Sequence, residues 1–287
     1  MTTHFNNVTI IGVGLIGGSL AKVLKDKGIA GSITGTGRTR ETLELALRLG
    51  VIDRMGQGMK HAVENADLVV LASPVGSFEA VIKDVGPSLK KGAVLTDVGS
   101  VKGSIVAMIE DSIPKHAHYV AGHPIAGKEK FGVAESTEML FKGAKCILTP
   151  TARTDEQALE AVRDIWTAAG ANVLVMDPDM HDKVFAAVSH MPHVAAFAMM
   201  CAVAGLNTGD EDYVNYSGAG FKDFTRIAGS SPEIWRDICL MNQDNVVKML
   251  DQYVFELNRF KRELLGGDPQ KLEKHLKAAS DARRGLK

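Results

Sequence analysis

Residues 8–20 read Val-Thr-Ile-Ile-Gly-Val-Gly-Leu-Ile-Gly-Gly-Ser-Leu, and this stretch decides the fold of the first half of the chain. A β-branched run leads into three glycines with the spacing G-x-G-x-x-G, and a helical pattern follows. The first glycine permits a tight turn, the second lets a pyrophosphate approach the backbone, and the third allows close packing of helix on strand. Free N–H groups and the dipole at the start of that helix attract anions. The stretch therefore predicts a dinucleotide site formed by Gly12, Gly14, Leu15, Ile16 and Gly17.

Short apolar runs alternate with helical periodicity as far as residue 176. The strand candidates are residues 8–13, 32–36, 67–72, 93–96, 119–120, 146–148 and 172–176. Apolar strands separated by helices indicate a parallel sheet that is covered on both faces. The predicted fold class is α/β, with an N-terminal Rossmann-type doubly wound sheet.

Strand-like runs disappear after Pro178, and helical periodicity continues almost to the end of the chain. The predicted helical stretches are residues 180–206, 212–227, 232–264 and 269–282. We therefore predict a dinucleotide-binding domain over residues 1–177 and an all-helical domain over residues 178–287. The long apolar helices lack an obvious core of their own, so we expect them to pack against a second copy in a homodimer.

Charge and composition exclude several classes of protein. In 287 residues, 33 Lys and Arg balance 34 Asp and Glu, so no basic surface is available for nucleic acid or an anionic membrane. Three widely separated cysteines form neither a disulfide framework nor a Cys-x-x-Cys motif. The N-terminus lacks a signal peptide, and the longest apolar run, residues 194–206, is shorter than the roughly 18 residues that span a bilayer. We expect a cytoplasmic protein with no nucleic-acid or membrane partner.

The choice of dinucleotide depends on residues 35–40, Gly-Thr-Gly-Arg-Thr-Arg, at the end of the second strand. An NAD site typically has Asp or Glu here to bind the ribose 2′-hydroxyl, but this chain has Gly37. Glycine leaves room for a 2′-phosphate, with which Arg38 and Arg40 can pair. We predict a preference for NADP, with NAD possible. The alternative is that both arginines are ordinary solvated charges, with Glu41 close enough to neutralise one of them.

Two polar side chains directly follow predicted parallel strands, Ser100 and His123. Ligands of open α/β sheets bind at the carboxyl ends of the strands, so both should face the cofactor, as should Ser73 and Pro74. A histidine there can accept a hydroxyl proton as hydride leaves. Two alternatives remain open, a helix-capping role for Ser100 and an ordinary loop histidine at position 123. His190 and His193 lack a third ligand at a characteristic spacing, so we predict no metal.

Taken together, five motifs closely resemble the prephenate/arogenate dehydrogenase family, the cyclohexadienyl dehydrogenases of tyrosine biosynthesis. They are GVGLIGGSL at 12–20, TDVGSVK at 96–102, AGHPIAGKEKFG at 121–132, SHMPH at 189–193 and GFKDFTRIAGSSPEIW at 220–235. The resemblance implies a Rossmann domain and a helical dimerisation domain with the substrate between them. It also implies oxidative decarboxylation of a cyclohexadienol.

The resemblance also implies roles for individual residues. His123 is similar to the residue that takes the proton of the ring 4-hydroxyl, and Ser100 to its partner on that hydroxyl. Arg226 resembles the arginine that binds a substrate carboxylate. The other implied pocket residues are Asp223 and Trp235 beside that arginine, His193, His190, and Glu129 as a gating acid.

Three alternatives stay open from the sequence. The substrate is expected to be prephenate, but L-arogenate differs from it only in an ammonium group in place of a carbonyl. A 3-hydroxy-acid or imine reductase would use a lysine early in the helical half, where Lys183 lies, but would leave two motifs unexplained. A third possibility is a nucleotide-sensing module without catalytic activity.

Overall fold

Nine strands form two sheets in the computed structural model, which describes residues 3–128, 130–208 and 211–286. The strands are β1 (Phe5–Ile11), β2 (Ala30–Thr36), β3 (Arg54–Met55), β4 (Leu68–Leu71), β5 (Val94–Asp97), β6 (His118–Val120), β7 (Gly122–Ile125), β8 (Lys145–Leu148) and β9 (Asn172–Val175). The first six form a parallel sheet in the order β3-β2-β1-β4-β5-β6. The strand order reverses between β1 and β4, which opens a crevice at their carboxyl ends.

Helices cover this sheet and form the rest of the chain. In the first half they are α1 (Leu15–Asp26), α2 (Arg40–Arg48), α3 (Met59–Val63), α4 (Phe78–Val85), α5 (Gly103–Ser112) and α6 (Glu156–Ala168). In the second half they are α7 (Pro178–Phe185), α8 (Met191–Ala204), α9 (Ala219–Thr225), α10 (Pro232–Met241), α11 (Gln243–Gly266) and α12 (Pro269–Arg284). The predicted helix over residues 232–264 is thus two helices, divided at Asn242, whose buried side chain is hydrogen-bonded to the backbone of α7.

The main sheet has an apolar layer on each face, as predicted for a doubly covered parallel sheet. Side chains alternate along β1, so that Ile10 packs into one layer and Ile11 into the other. Leu20 of α1 lies in the first layer, and Phe78 of α4 in the second. The sheet is therefore buried on both sides, and polar ligands reach it only at the strand ends.

The second sheet is a correction to the sequence analysis, which placed residues 146–148 and 172–176 in the parallel sheet. Strand β7 pairs antiparallel with β8, and β8 pairs parallel with β9. The chain leaves the main sheet after β6 because the Gly122 N–H donates to the Asp97 carboxylate at the end of β5 instead of continuing the ladder. A strand that contains Gly and Pro gives a weak sequence signal, so β7 was missed.

Helices α7 and α8 join without a break through one π-helical turn, Ala186–His190. Asp177 caps the start by accepting from the backbone N–H groups of Asp179 and Met180, with Pro178 in the first turn. The combined helix, Pro178–Ala204, is long and apolar enough to cross a membrane, although only 28% of its most apolar window is buried in the chain. Length and composition are equally typical of a helix that packs against another protein chain.

Asp97 is the polar centre on which the strand ends are fixed. Its fully buried carboxylate accepts hydrogen bonds from the backbone N–H groups of Gly99 and Gly122 and from the Tyr119 hydroxyl. The buried ammonium of Lys102 forms an ion pair with the same carboxylate. Burial, together with the charge of Asp97, raises the pKa of Tyr119, so the hydroxyl remains a donor. The loop that carries Ser100 and the strand that carries His123 thus share one anchor.

We predict that Asp97→Asn lowers the free energy of unfolding by about 3–5 kcal/mol, because it leaves the buried Lys102 ammonium without a counter-charge. Adding Lys102→Met to that variant should recover part of the loss, since the unpaired charge is then removed. Urea denaturation of both variants measures the difference. A double variant no more stable than Asp97→Asn would contradict this account.

Candidate active site

A cavity of about 530 Å³ lies at the carboxyl ends of β1 and β4. Of the predicted cofactor residues, those that line it are Gly12, Gly14, Gly37, Arg38, Ser73 and Pro74. Helix α10 of the helical half closes the other side with Glu233, Arg236 and Asp237. The sequence analysis did not assign α10 to the cofactor site, because only the tertiary fold brings it there.

The glycines of residues 12–17 divide into two groups by what a Cβ atom would meet. Gly12 has a φ of +100°, and a Cβ there would lie 2.6 Å from the backbone of Ala72 and Ser73. A Cβ on Gly17 would lie 2.3 Å from the carbonyl oxygen of Gly12. A Cβ on Gly14 would meet nothing within 4 Å. The fold thus explains Gly12 and Gly17, and the space at Gly14, before the N-terminus of α1, fits the pyrophosphate of a dinucleotide.

The end of β2 has the open space that the sequence predicts, but only one of its two arginines lines the cavity. Gly37 is exposed, with nothing within 4 Å of its ideal Cβ position. The Arg38 guanidinium lies at the cavity, 3.7 Å from the Glu233 carboxylate across it. Arg40 pairs instead with Glu44 at 2.8 Å along α2 and is not among the lining residues. This i, i+4 ion pair on the helix surface holds the Arg40 side chain outside the cavity lining.

His123 lies on β7, nearly buried, in a row of three side chains that the sequence analysis did not connect. Its Nδ1 is 2.8 Å from Nε2 of His181, whose Nδ1 is 2.8 Å from Oδ1 of Asp182. The Asp182 carboxylate also accepts from the backbone N–H groups of Lys102 and Gly103 at the start of α5. His181 and Asp182 belong to α7, so both halves of the chain form this row. The available sequence signal was a His-Asp pair in the first helix after the change of fold.

Burial lowers the pKa of His123 well below its usual value, and the neighbouring His181 and Lys102 lower it further. Burial also lowers the pKa of His181, whereas its hydrogen bond to the Asp182 carboxylate raises it. Both imidazoles are therefore neutral near pH 7. The neutral form of imidazole is the one that accepts a proton.

The remaining candidates surround Trp235. The His193 ring stacks on the indole with ring centroids 3.6 Å apart, and its Nδ1 donates to the Ser189 carbonyl oxygen. Burial lowers the pKa of His193, and the charge of Arg226 is near enough to lower it further. The structure thus groups three of the predicted pocket residues. Asp223 is exposed on α9, one helical turn before Arg226, whereas Glu129 lies outside the described residues.

His190 is placed differently from the other candidates. It is 1% exposed, its Nδ1 lies 3.1 Å from Nδ2 of Asn242, and its ring packs edge-on against Trp235. Burial lowers its pKa to about 4. A ring buried this deeply suits a supporting role at the pocket better than direct contact with substrate.

A cavity at the switch point of a parallel sheet, closed by a helix of the second half, and a neutral histidine held between the two halves are typical of an NAD(P)-dependent dehydrogenase. Comparison with family models gives matches to the nucleotide-binding domain of prephenate dehydrogenase over residues 20–175 and to its dimerization domain over residues 177–278. The chain belongs to the prephenate dehydrogenase family.

Individual proteins agree with this membership. The crystal structure of prephenate dehydrogenase from Aquifex aeolicus, in complex with hydroxyphenyl propionate and NAD+, has a TM-score of 0.94 and 40% identity, covering 100% of both chains. Cyclohexadienyl dehydrogenase of Zymomonas mobilis is 34% identical over 99% of this chain and 97% of its own. Synechocystis arogenate dehydrogenase has a TM-score of 0.81 and 28% identity, covering 97% and 99% of the two chains.

These matches confirm the predicted family, the fold class and the oxidative decarboxylation of prephenate as the main activity. They also confirm a pyridine nucleotide as cofactor. A 3-hydroxyisobutyrate dehydrogenase from Mycobacterium tuberculosis has a TM-score of 0.57 and 13% identity, which shows a shared fold alone. The reductase alternative therefore shares a fold with this chain, whereas the family matches are to prephenate dehydrogenase.

The contrast between two glycines gives a prediction. Gly14→Val should abolish dinucleotide binding and leave thermal stability nearly unchanged, because the new side chain fills only the open space at the helix start. Gly17→Val should instead destabilise the fold, because its Cβ would overlap the Gly12 carbonyl oxygen. Thermal melting and NADPH or NADH fluorescence titration measure the two effects. Intact binding by folded Gly14→Val would remove Gly14 from the pyrophosphate site.

Proposed function

We propose that His123 is the proton acceptor in the oxidative decarboxylation of prephenate by this chain, with L-arogenate as the alternative substrate. One observation carries the proposal: Nδ1 of His123 is occupied by His181, which leaves Nε2 as the ring nitrogen available to a substrate hydroxyl. The ring lies on β7, next to the anchored end of β5, where ligands of such sheets bind.

The proton has to be held only briefly. His123 Nε2 accepts the proton of the ring 4-hydroxyl, and Ser100 orients that hydroxyl. A bound nicotinamide would supply the acceptor for the hydride that leaves ring C4. Departure of the ring carboxylate as CO2 leaves its electron pair in the ring, and the resulting phenolate oxygen takes the proton back from His123. The reaction therefore releases no net proton. The chain must chiefly orient the substrate and provide one nitrogen that binds the proton temporarily.

The group around Trp235 is proposed to hold the rest of the substrate. Arg226 would bind a carboxylate of the dianion with its planar guanidinium, and His193, stacked on Trp235, would form the wall beside it. We retain Asp223 and Glu129 as pocket residues and His190 as a buried support for Trp235. The division into domains at residues 177 and 178 is likewise a proposal.

We further propose NADP as the preferred cofactor. No carboxylate replaces Gly37 at the end of β2, and the Arg38 guanidinium lies at the cavity. A 2′-phosphate would compete with Glu233 for that guanidinium, and its charge of about −2 favours the phosphate over a single carboxylate.

The quaternary structure proposed is a homodimer formed through the helical half, in the cytoplasm. The exposed large apolar side chains in this half include Met199, Leu240, Val254, Phe255 and Leu257. An apolar surface of this kind is typical of a subunit interface.

His123→Asn should lower kcat for prephenate by roughly 10²- to 10⁴-fold with little change in KM, because the proton acceptor is lost while substrate contacts remain. Steady-state kinetics on folded protein, checked by circular dichroism, measure this effect. A variant with normal kcat would exclude His123 from the reaction.

Gly37→Asp should shift the preference from NADP toward NAD, because the carboxylate repels a 2′-phosphate and can bind a 2′-hydroxyl. The assay combines each of the two substrates, prephenate and arogenate, with each cofactor, for the wild type and the variant. It thereby also ranks the substrates. Equal NADP/NAD ratios of kcat/KM in both proteins would refute the cofactor assignment.

A further inference from the structure

We infer that His181 and Asp182 are positioning residues for the reaction: they hold His123 in the one tautomer whose Nε2 can accept a proton, and they stabilise it once it has done so. The inference rests on the proposed role of His123. It concerns two residues of α7 to which the sequence analysis assigned no function.

The tautomer follows from counting donors and acceptors, starting at Asp182. An ionised carboxylate only accepts, so His181 Nδ1, 2.8 Å away, must carry a hydrogen. A neutral imidazole has one N–H, which leaves His181 Nε2 as an acceptor. His123 Nδ1, 2.8 Å from that atom, must then be the donor. The His123 hydrogen is thus on Nδ1, and Nε2 has the free lone pair.

Asp182 is itself held from the other half of the chain. Its two carboxylate oxygens accept from the N–H groups of Lys102 and Gly103, each at 2.8 Å. These donors lie at the start of α5, where the helix dipole also favours a negative charge. A carboxylate fixed by two backbone donors cannot rotate freely, so the direction of the hydrogen bond from His181 is fixed as well.

The same row stabilises the transient charge on His123. When Nε2 takes the substrate proton, the imidazolium still donates through Nδ1 to His181, with the Asp182 anion behind it. The other charged or titratable groups that face the two rings are Lys102, which is paired with Asp97, together with His190 and Cys146. Because Asp97 offsets Lys102, the Asp182 anion is the compensating charge in line with the two rings.

If Asp182 only capped the start of α5, the two histidines in line with it would not be needed. A carboxylate that only satisfied the start of α5 would function equally well beside any apolar residue. Here the adjacent residue is a fully buried histidine, whose ring centroid lies 4.4 Å from Phe185 and 5.0 Å from His123. Burying two imidazoles costs desolvation free energy that a structural role does not explain.

The first experiment reads the tautomer directly by NMR of the protein with ¹⁵N-labelled histidine at neutral pH, without substrate or cofactor. The spectrum of His123→Asn identifies the His123 signals by their absence. We expect the Nδ1–H form of His123 in the wild type and a mixture with the Nε2–H form in Asp182→Asn. Asp179→Asn is the matched control, because it makes the same change at an exposed position of α7 and should keep the wild-type spectrum. An Nε2–H form in the wild type would overturn the inference.

The second experiment uses kinetics. His181→Phe keeps a ring against Phe185 but removes the acceptor, and should lower kcat roughly 10- to 10³-fold with little change in KM. His181→Gln, whose amide oxygen can accept from His123, should recover part of the rate. In Asp182→Asn the acid limb of the kcat–pH profile should move to lower pH, because the imidazolium has lost its compensating charge. Lower activity with an unmoved limb would indicate a structural role only.

The outcomes separate this inference from the proposed function. Normal kcat in His123→Asn would refute the proposed function, whatever the tautomer. A large loss in His123→Asn, combined with an unchanged rate and pH profile in folded His181→Phe, would refute the positioning role alone. Should the variants of α7 fail to fold, the wild-type spectrum still decides the tautomer.

Discussion

The buried carboxylate of Asp97 is the constraint on which the site depends. It is bonded to the loop after β5, to the Tyr119 hydroxyl and to the first residue of β7, and it neutralises Lys102. Without this carboxylate, no shared contact would fix the loop that carries Ser100 relative to the strand that carries His123. The loop and the strand are held together because both contact the same acidic side chain at the end of β5.

The two halves of the chain meet through polar groups and also through Ile238 of α10, which packs in the second apolar layer of the sheet. Asp182 of α7 accepts from the start of α5, and α10 reaches the cavity beside Arg38. The row of His123, His181 and Asp182 therefore exists only when the helical half is seated on the sheet. The cofactor cavity and this row thus consist of different residues but depend on the same contact between the two halves.

The parts of this molecule that the sequence could predict are those with local causes. Gly12, Gly14 and Gly17 lie within one strand, turn and helix, so their spacing could be recognised without the tertiary fold, and His123 follows a strand whose end could be recognised. The parts that could not be predicted depend on distant partners. Strand β7 exists because Gly122 pairs with Asp97, and His181 became part of the site through its contact with a strand 58 residues away. Arg40 was assigned to the cofactor because it lies close to Gly37 in the sequence, whereas in the fold it pairs with Glu44 on the same helix.

The π-helical turn at Ala186–His190 determines the directions in which side chains before and after it point. Such a turn contains one residue more than an α-helical turn needs, and each residue of an α-helix advances the direction of side chains by about 100°. Removing one residue there would leave a regular helix but rotate everything after it. His181 would still reach His123, whereas His193 would turn away from Trp235. One inserted residue thus sets the angle between His181, which contacts His123, and His193, which stacks on Trp235.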